Sequence, residues 1–158
     1  MSQTPLESAP GLRLHALDAE DLAHLSAHAQ DSILRVGDIA YWPSKRRFAL
    51  TAARFDWAAE AEGRLERRLT GLHFETVTRV RHRHVPLHES EALLVLLAAV
   101  FEPSAEPPGG VVRLVFAGGA EILLDVECVE AQLADLGPHW AVASRPAHAL
   151  DEDGAAGS

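Results

Sequence analysis

Hydrophobic and polar residues alternate over much of this chain, and two stretches have helical spacing instead. Residues 12–17 alternate, which predicts a strand. Asp18 is typical of a helix N-cap, and acidic residues follow it in the first turn. Apolar residues then recur at helical spacing; they are Leu22, Leu25, Ala29 and Ile33. The chain therefore begins with a strand and a helix that ends before Arg35.

The pattern then becomes that of consecutive strands joined by short turns. Residues 39–42 and 47–55 flank the turn at residues 43–46, which predicts a hairpin. Residues 58–71 are charged and favour a surface loop with a short helical turn. A long strand is expected from residue 72 to about residue 85.

Strands joined by turns continue in the second half of the chain. Residues 93–101 are apolar without alternation, which indicates a strand covered on both faces. If this segment were uncovered, it would form the edge of a homodimer. A Pro- and Gly-rich loop at 103–110 precedes the clearest hairpin, residues 111–116 and 121–126. A final helix is predicted over residues 127–136, ended by Gly137 and Pro138.

These elements predict an α+β fold that is mainly antiparallel β. Short connections favour a curved meander or partial barrel of about six to seven strands, with an N-terminal and a C-terminal helix. The element order is similar to that of pleckstrin-homology-like folds, an analogy that implies no ligand. We expect one globular domain over residues 11–145, with disordered tails at 1–10 and at the acidic segment 146–158.

Composition points to a soluble cytoplasmic protein with no membrane association. The single Cys128 cannot form an internal disulfide, which fits a reducing compartment. The longest apolar run, residues 92–101, is half of the ~20 residues that a membrane-spanning helix needs. No signal peptide is visible at the N-terminus.

Charge is distributed very unevenly. Residues 35–83 hold 11 basic and six acidic side chains, a net charge of +5 within a chain of −9. This asymmetry predicts a basic patch on an acidic body, and so a binding surface before a catalytic one. The alternative is a solvated face, since arginine supplies 13 of the 14 cations and serves wherever a surface cation is needed.

The sharpest candidate site is a row of arginines. Arg79, Arg81 and Arg83 alternate along a predicted strand and so lie on one face, roughly 6–7 Å apart. Guanidinium groups match phosphate and carboxylate geometry, so the row suits a phosphate-bearing ligand or an acidic protein partner. The alternative is cross-strand pairing with Asp or Glu, which contributes little.

A second basic cluster lies at the tip of the first hairpin. Trp42 stands beside Lys45, Arg46 and Arg47, and basic groups next to a flat ring suit single-stranded nucleic acid. The net charge of −9 opposes a polyanion and no nucleic-acid-binding motif is present, so a nucleic-acid partner is not expected.

No catalytic, metal or cofactor site is predicted. His24 and His28 have ligand spacing on a helix, but nothing nearby completes a site. Cys128 is expected to be a packed, inert thiol. Three histidines are candidate general bases if a pocket lies between sheet and helix; they are His73, His82 and His84.

Several segments in order resemble one known family. They are Leu34-Arg35-Val36-Gly37-Asp38, Arg54-Phe55-Asp56-Trp57, Gly71-Leu72-His73-Phe74-Glu75, Phe116-Ala117-Gly118-Gly119-Ala120 and residues 125–137. Together they resemble an uncharacterised alphaproteobacterial family, domain of unknown function 2948, over roughly residues 11–145. The resemblance implies a bacterial cytoplasmic protein and brings no activity, cofactor or functional residue.

The sequence therefore favours a non-enzymatic binding module, although an enzymatic role stays open. Its basic β surface would contact an acidic partner or a phosphate-bearing ligand by charge pairing. A small enzyme with a histidine-lined pocket is the first alternative, and an RNA-associated protein is the second.

Overall fold

One antiparallel sheet of ten strands contains most of residues 11–146, the part of the chain that the computed structural model describes. The strands are β1 (Arg13–Ala16), β2 (Ser32–Arg35), β3 (Ile39–Trp42), β4 (Arg47–Phe55), β5 (Glu66–Phe74), β6 (Val77–Arg83), β7 (Leu93–Pro103), β8 (Gly110–Phe116), β9 (Glu121–Val126) and β10 (Ala131–Ala141). The helices are α1 (Ala19–Ala29) and the short α2 (Trp57–Ala61). The expected tail at 1–10, and all but the first residue of the tail expected at 146–158, lie outside the described residues.

The strand order is β1-β10-β5-β4-β2-β7-β8-β9-β6, with β3 paired to β4. β4 is a branch point, because residues 47–50 pair with β3 while Ala53 pairs with β2. The antiparallel prediction is confirmed, but the expected six to seven strands are too few. The sheet is open, although β6 curves back until the Val77 N–H donates to the Arg46 carbonyl at 2.9 Å.

Helix α1 forms as the sequence predicts but ends earlier. The Asp18 side chain accepts a hydrogen bond from the Asp21 N–H at 2.8 Å, and the predicted apolar face is buried as far as Ala29. Asp31 then has a positive φ of 67°, which reverses the chain into β2. Ile33 therefore lies on a strand and not on the helix.

The charged segment 58–71 is wrongly predicted as a loop, because β5 begins at Glu66. Its inward positions include Arg68 and Thr70, whose polarity hides the alternation from a hydrophobicity pattern. The expected long strand 72–85 is also two strands. Thr76 has a φ of 57° and makes the turn between β5 and β6.

The predicted C-terminal helix at 127–136 is wrong, because this segment enters strand β10. The buried residues Val129, Ala131 and Leu133 lie two apart, which is strand periodicity. Gly137 has a φ of 116° and lies where the β10–β5 register shifts, so it marks a bulge and not a helix end. Without this helix the analogy to pleckstrin-homology-like folds loses its basis.

The predicted hairpin of β8 and β9 is confirmed. Strand β7 pairs with β8 on one side, and on the other side β2 pairs with residues 93–96 while the Ala99 N–H donates to the Ser26 hydroxyl of α1 at 2.9 Å. The expected covering of both faces is wrong, because Leu93 and Val100 are exposed. The interior between the curved sheet and α1 is filled by large apolar side chains, including Phe48, Phe74 and Phe116.

A buried ionic network ties four segments of the chain together. The Asp135 carboxylate, 1% exposed, accepts two hydrogen bonds from Arg54, at 2.8 and 3.0 Å. It also accepts from the Thr70 hydroxyl at 2.6 Å and from the Leu12 N–H at 2.7 Å. A buried charge is stable only when its partners are this complete, so the network fixes β10 against β4, β5 and the segment before β1.

A second carboxylate extends this network. Arg68 donates to Asp56 at 2.8 Å, and Asp56 also caps α2 by accepting from the Ala59 N–H at 2.9 Å. Burial alone raises the pKa of Asp135 and of Asp56. The hydrogen bonds from arginine and backbone outweigh burial, so each pKa lies below its ordinary value of 3.8.

We expect Asp135→Asn to lower the free energy of unfolding by about 3–5 kcal/mol, because it leaves the Arg54 guanidinium buried without a counter-charge. Urea denaturation at neutral pH measures this. The matched control is Asp125→Asn, which removes a half-exposed partner of Arg81 and should cost about 0–1 kcal/mol. Equal losses in the two variants would show that the network does not hold the sheet.

Candidate binding surface and cleft

The outer face of β6 carries the arginine row. Val80 and His82 pair with the buried residues Leu124 and Ile122 of β9, so they lie on the inner side. The arginines alternate with them and lie on the outer side; they are Arg79, Arg81 and Arg83. Because β6 is the last strand of the sheet, this row borders a free edge.

Only the middle arginine of the row is neutralised. Arg81 pairs with Asp125 at 2.6 Å. Arg79 and Arg83 are exposed, and neither forms an ion pair with a residue in the range 11–146. Cross-strand pairing, the alternative that the sequence left open, therefore accounts for one of the three arginines.

The hairpin tip shows the same division. Arg46 pairs with Glu127 and Arg47 pairs with Glu75, both at 2.8 Å. Lys45 has no acidic partner among the described residues. Trp42, at the end of β3, is 45% exposed. The six predicted cations thus comprise three that are paired and three that are unpartnered.

The tip and the row lie on neighbouring elements. The Val77 N–H, at the start of β6, donates to the Arg46 carbonyl, and the Tyr41 hydroxyl donates to the Val77 carbonyl at 3.1 Å. These two bonds join the β3–β4 hairpin to β6 at one point. Beyond that point no ladder pairs the edges of β3 and β6 within the described sheet.

A cleft of about 340 Å³ occupies the gap between these two edges. Its lining is mostly apolar and contains no charged side chain; it consists of Val36, Gly37, Ile39, Ala40, Tyr41, Phe48, Val80, His82, Leu87 and Ser90. Gly37 donates its N–H to the Ser90 carbonyl at 2.8 Å and closes the far end. A Cβ on Gly37 would lie 3.1 Å from that oxygen, so the close approach suits glycine.

The three candidate histidine bases do not converge. His82 lines the cleft, and partial burial lowers its pKa below 6.5. His73 lies on β5, where it contacts Glu75 at 2.8 Å, and His84 is exposed after the end of β6. The cleft therefore offers one imidazole and no carboxylate behind it.

Sequence reasoning missed the cleft, because its walls come from four separate segments. His82 stood out in the sequence as a candidate general base, but for a pocket between sheet and helix and not for a cleft between two strand edges. Leu87 was the one indication in the sequence, because it is a large apolar residue within a polar turn. In the structure this side chain is 52% exposed. Nothing in the sequence indicated that β3 and β6 face one another.

The histidine pair on α1 is divided between solvent and interior. The rings of His24 and His28 are 5.0 Å apart, but the Nδ1 atom of His28 is buried without a hydrogen-bond partner among the described residues. His28 was expected to face solvent, and this is only half correct. Burial, with the nearby Arg54 and His24 charges, lowers its pKa below 6.5 against the opposing effect of Asp56 and Asp135.

No group of three or more His, Cys, Asp or Glu within residues 11–146 is arranged to hold a metal ion. Cys128 lies in the turn before β10 and not at a helix N-terminus. Its carbonyl accepts a hydrogen bond from the Thr76 hydroxyl at 3.1 Å, and its thiol is a free, half-buried group.

Comparison with known proteins gives one match. The model of a family described as protein of unknown function (DUF2948) matches residues 12–148. The chain belongs to this family. The match spans every element of the sheet and every residue of the cleft, so both are located in the part of the chain that defines membership. Neither the curated proteins nor the solved structures contain a match.

The family description assigns no activity, so any function must be argued from the surface and the cleft. Of the helices within residues 11–146, none has the length and apolar character needed to cross a membrane.

We expect the stability of the protein to fall as the pH is lowered through the His28 transition. The pKa of His28 in the folded protein lies below its ordinary value of 6.5. The free energy of unfolding is therefore highest above pH 6.5, and it decreases as the pH falls toward the pKa of the folded state. His28→Gln should therefore flatten the decline in urea midpoint between about pH 7.5 and about pH 5. The control is His84→Gln, at an exposed site. A decline that stays as steep in His28→Gln as in wild type would contradict this assignment.

Proposed function

We propose that this protein is a non-enzymatic binding module that contacts an acidic protein partner. The contact surface is the outer face of β6 together with the tip of the β3–β4 hairpin. The observation that carries this proposal is the clustering, on this one surface, of three cations that have no acidic partner among the described residues; they are Lys45, Arg79 and Arg83. Each stands next to a basic residue that is already paired.

An exposed cation without an ion-pair partner costs little in water, and Arg79 and Arg83 are separated by the neutralised Arg81, so the two repel each other only weakly. Both guanidinium groups can therefore form charge-assisted hydrogen bonds with carboxylates of a partner. The paired cations support the same surface in a different way. Arg46–Glu127 and Arg47–Glu75 neutralise two cations of the tip, and the backbone hydrogen bond from Val77 to Arg46 joins the tip to β6, so the free groups lie on connected elements.

The net charge of the chain favours a protein partner over a polyanion. With a net charge of −9 the molecule repels nucleic acid at long range, so any attraction must come from local, short-range charge pairs. A protein with a small acidic patch meets this condition. One exposed ring, Trp42, is a limited stacking platform for RNA, where several rings are usual.

The enzyme alternative has less support from the geometry. Its histidines are separated, and the cleft places His82 among apolar groups with no acid to orient it. The interior beneath the sheet is filled by the apolar core rather than open to a substrate.

We expect the double variant Arg79→Ala/Arg83→Ala to bind an acidic probe roughly threefold to tenfold more weakly than wild type at low salt. A short poly-L-glutamate peptide, which presents a small acidic patch and not a long polyanion, is the probe. Fluorescence anisotropy at about 0.05 M and about 0.5 M salt is the measurement, because screening should abolish the difference.

Arg13→Ala is the matched control. Arg13 is an exposed arginine on β1, the opposite edge strand, and has no ion pair with a described residue. Equal binding by wild type and the double variant, or an equal loss in Arg13→Ala, would show that the β6 surface is not the contact. Tighter binding of poly(U) than of poly-L-glutamate would favour the RNA alternative instead.

A further inference from the structure

The cleft between β3 and β6 has features that the charged surface does not explain. Side chains fill most voids in protein interiors, but they do not fill the cleft. The fully buried Phe48 is part of its lining. Leu87 lines the opening with 52% of its surface exposed. An apolar side chain held at the mouth of an empty apolar cleft is typical of a site that receives a ligand.

The shape of the cleft limits what can enter. One end is closed by the Tyr41–Val77 hydrogen bond and the other by the Gly37–Ser90 hydrogen bond. An extended strand cannot run through a gap that is closed at both ends, although β3 and β6 are free edges. At about 340 Å³ the volume is near the lower end of the roughly 300–1,000 Å³ of ligand pockets, which suits one large side chain.

The charges around the cleft indicate what surrounds that side chain. On the β6 side, Arg79 and Arg83 alternate with the lining residues Val80 and His82, so each cation is one residue from the cleft wall. On the opposite margin the acids Asp38 and Glu91 share a single cation, Arg35, so this margin keeps a net charge of −1. The rim is therefore positive beside β6, while the lining is uncharged.

We propose that the cleft binds an aromatic or large aliphatic side chain from an acidic segment of the protein partner. The anchor enters between β3 and β6, and carboxylates next to it in the partner pair with Arg79 and Arg83. This arrangement matches the usual anatomy of a binding hot spot, in which an apolar anchor fills a desolvated pocket and a polar rim surrounds it. The inference rests on the proposed function and names the class of partner for the same surface.

Two synthetic peptides of glutamate and serine test this inference. One has a single central phenylalanine, and the other has serine at that position. We expect the phenylalanine peptide to bind the wild-type protein at least about tenfold more tightly, because burial of the ring adds to the charge term. Amide shifts in two-dimensional NMR spectra should report the phenylalanine peptide at Gly37, Ala40 and Ser90.

Two variants fill the cleft from different walls. Val80→Phe adds a ring from the inner side of β6, and Ser90→Phe adds one from the exposed turn before β7. Each should remove the preference for phenylalanine and leave the weaker binding of the serine peptide unchanged. If Val80→Phe fails to fold, Ser90→Phe gives the answer alone.

The outcomes separate this inference from the proposed function. Equal affinity for the two peptides, with both weakened by Arg79→Ala/Arg83→Ala, would overturn the anchor while the basic surface remains the contact. A phenylalanine preference that survives both cleft-filling variants would also overturn it. If the double variant Arg79→Ala/Arg83→Ala bound both peptides with the same affinity as wild type, the proposed function would be overturned as well.

Discussion

The carboxylate of Asp135 is the interaction on which the rest of the fold depends. It is almost completely buried, and its charge is stable there because Arg54, Thr70 and the Leu12 N–H all donate to it. These donors come from β4, β5 and the segment before β1. A shift of one residue in any of these strands would turn a partner to the other face of the sheet, so one buried charge fixes the register of the whole half-sheet.

The proposed binding surface depends on the position that this network gives to β4. β4 pairs with β5 along its length, but its other side is shared between β3 and β2. The β3–β4 hairpin therefore projects from the sheet as a branch and meets the start of β6 at Val77. At Val77 the edges of β3 and β6 come close enough for two hydrogen bonds, but beyond Val77 the two strands do not pair. The cleft is the space between these two edges.

Local patterns predicted the elements whose inward positions are mostly apolar. The hairpins β3–β4 and β8–β9 and the N-cap of α1 at Asp18 follow from such patterns. The predictions failed where inward positions are polar or where apolar spacing fits two structures. Arg68 and Thr70 turn inward because the ionic network satisfies them, which hid β5. Val129 and Leu133 are spaced for a helix stripe as well as for a strand face, and pairing of β10 with β1 and β5 decided the outcome.

The sequence by itself determined that the chain is mainly antiparallel β, that it belongs to a known family and that alternate arginines of β6 share one face, because period-two geometry is local. Only the tertiary structure decided which cations remain unpartnered, since Asp125, Glu127 and Glu75 reach their partners across strands and turns far apart in sequence. The cleft is tertiary for the same reason: no single segment contains it, and it exists because two edge strands stop short of pairing.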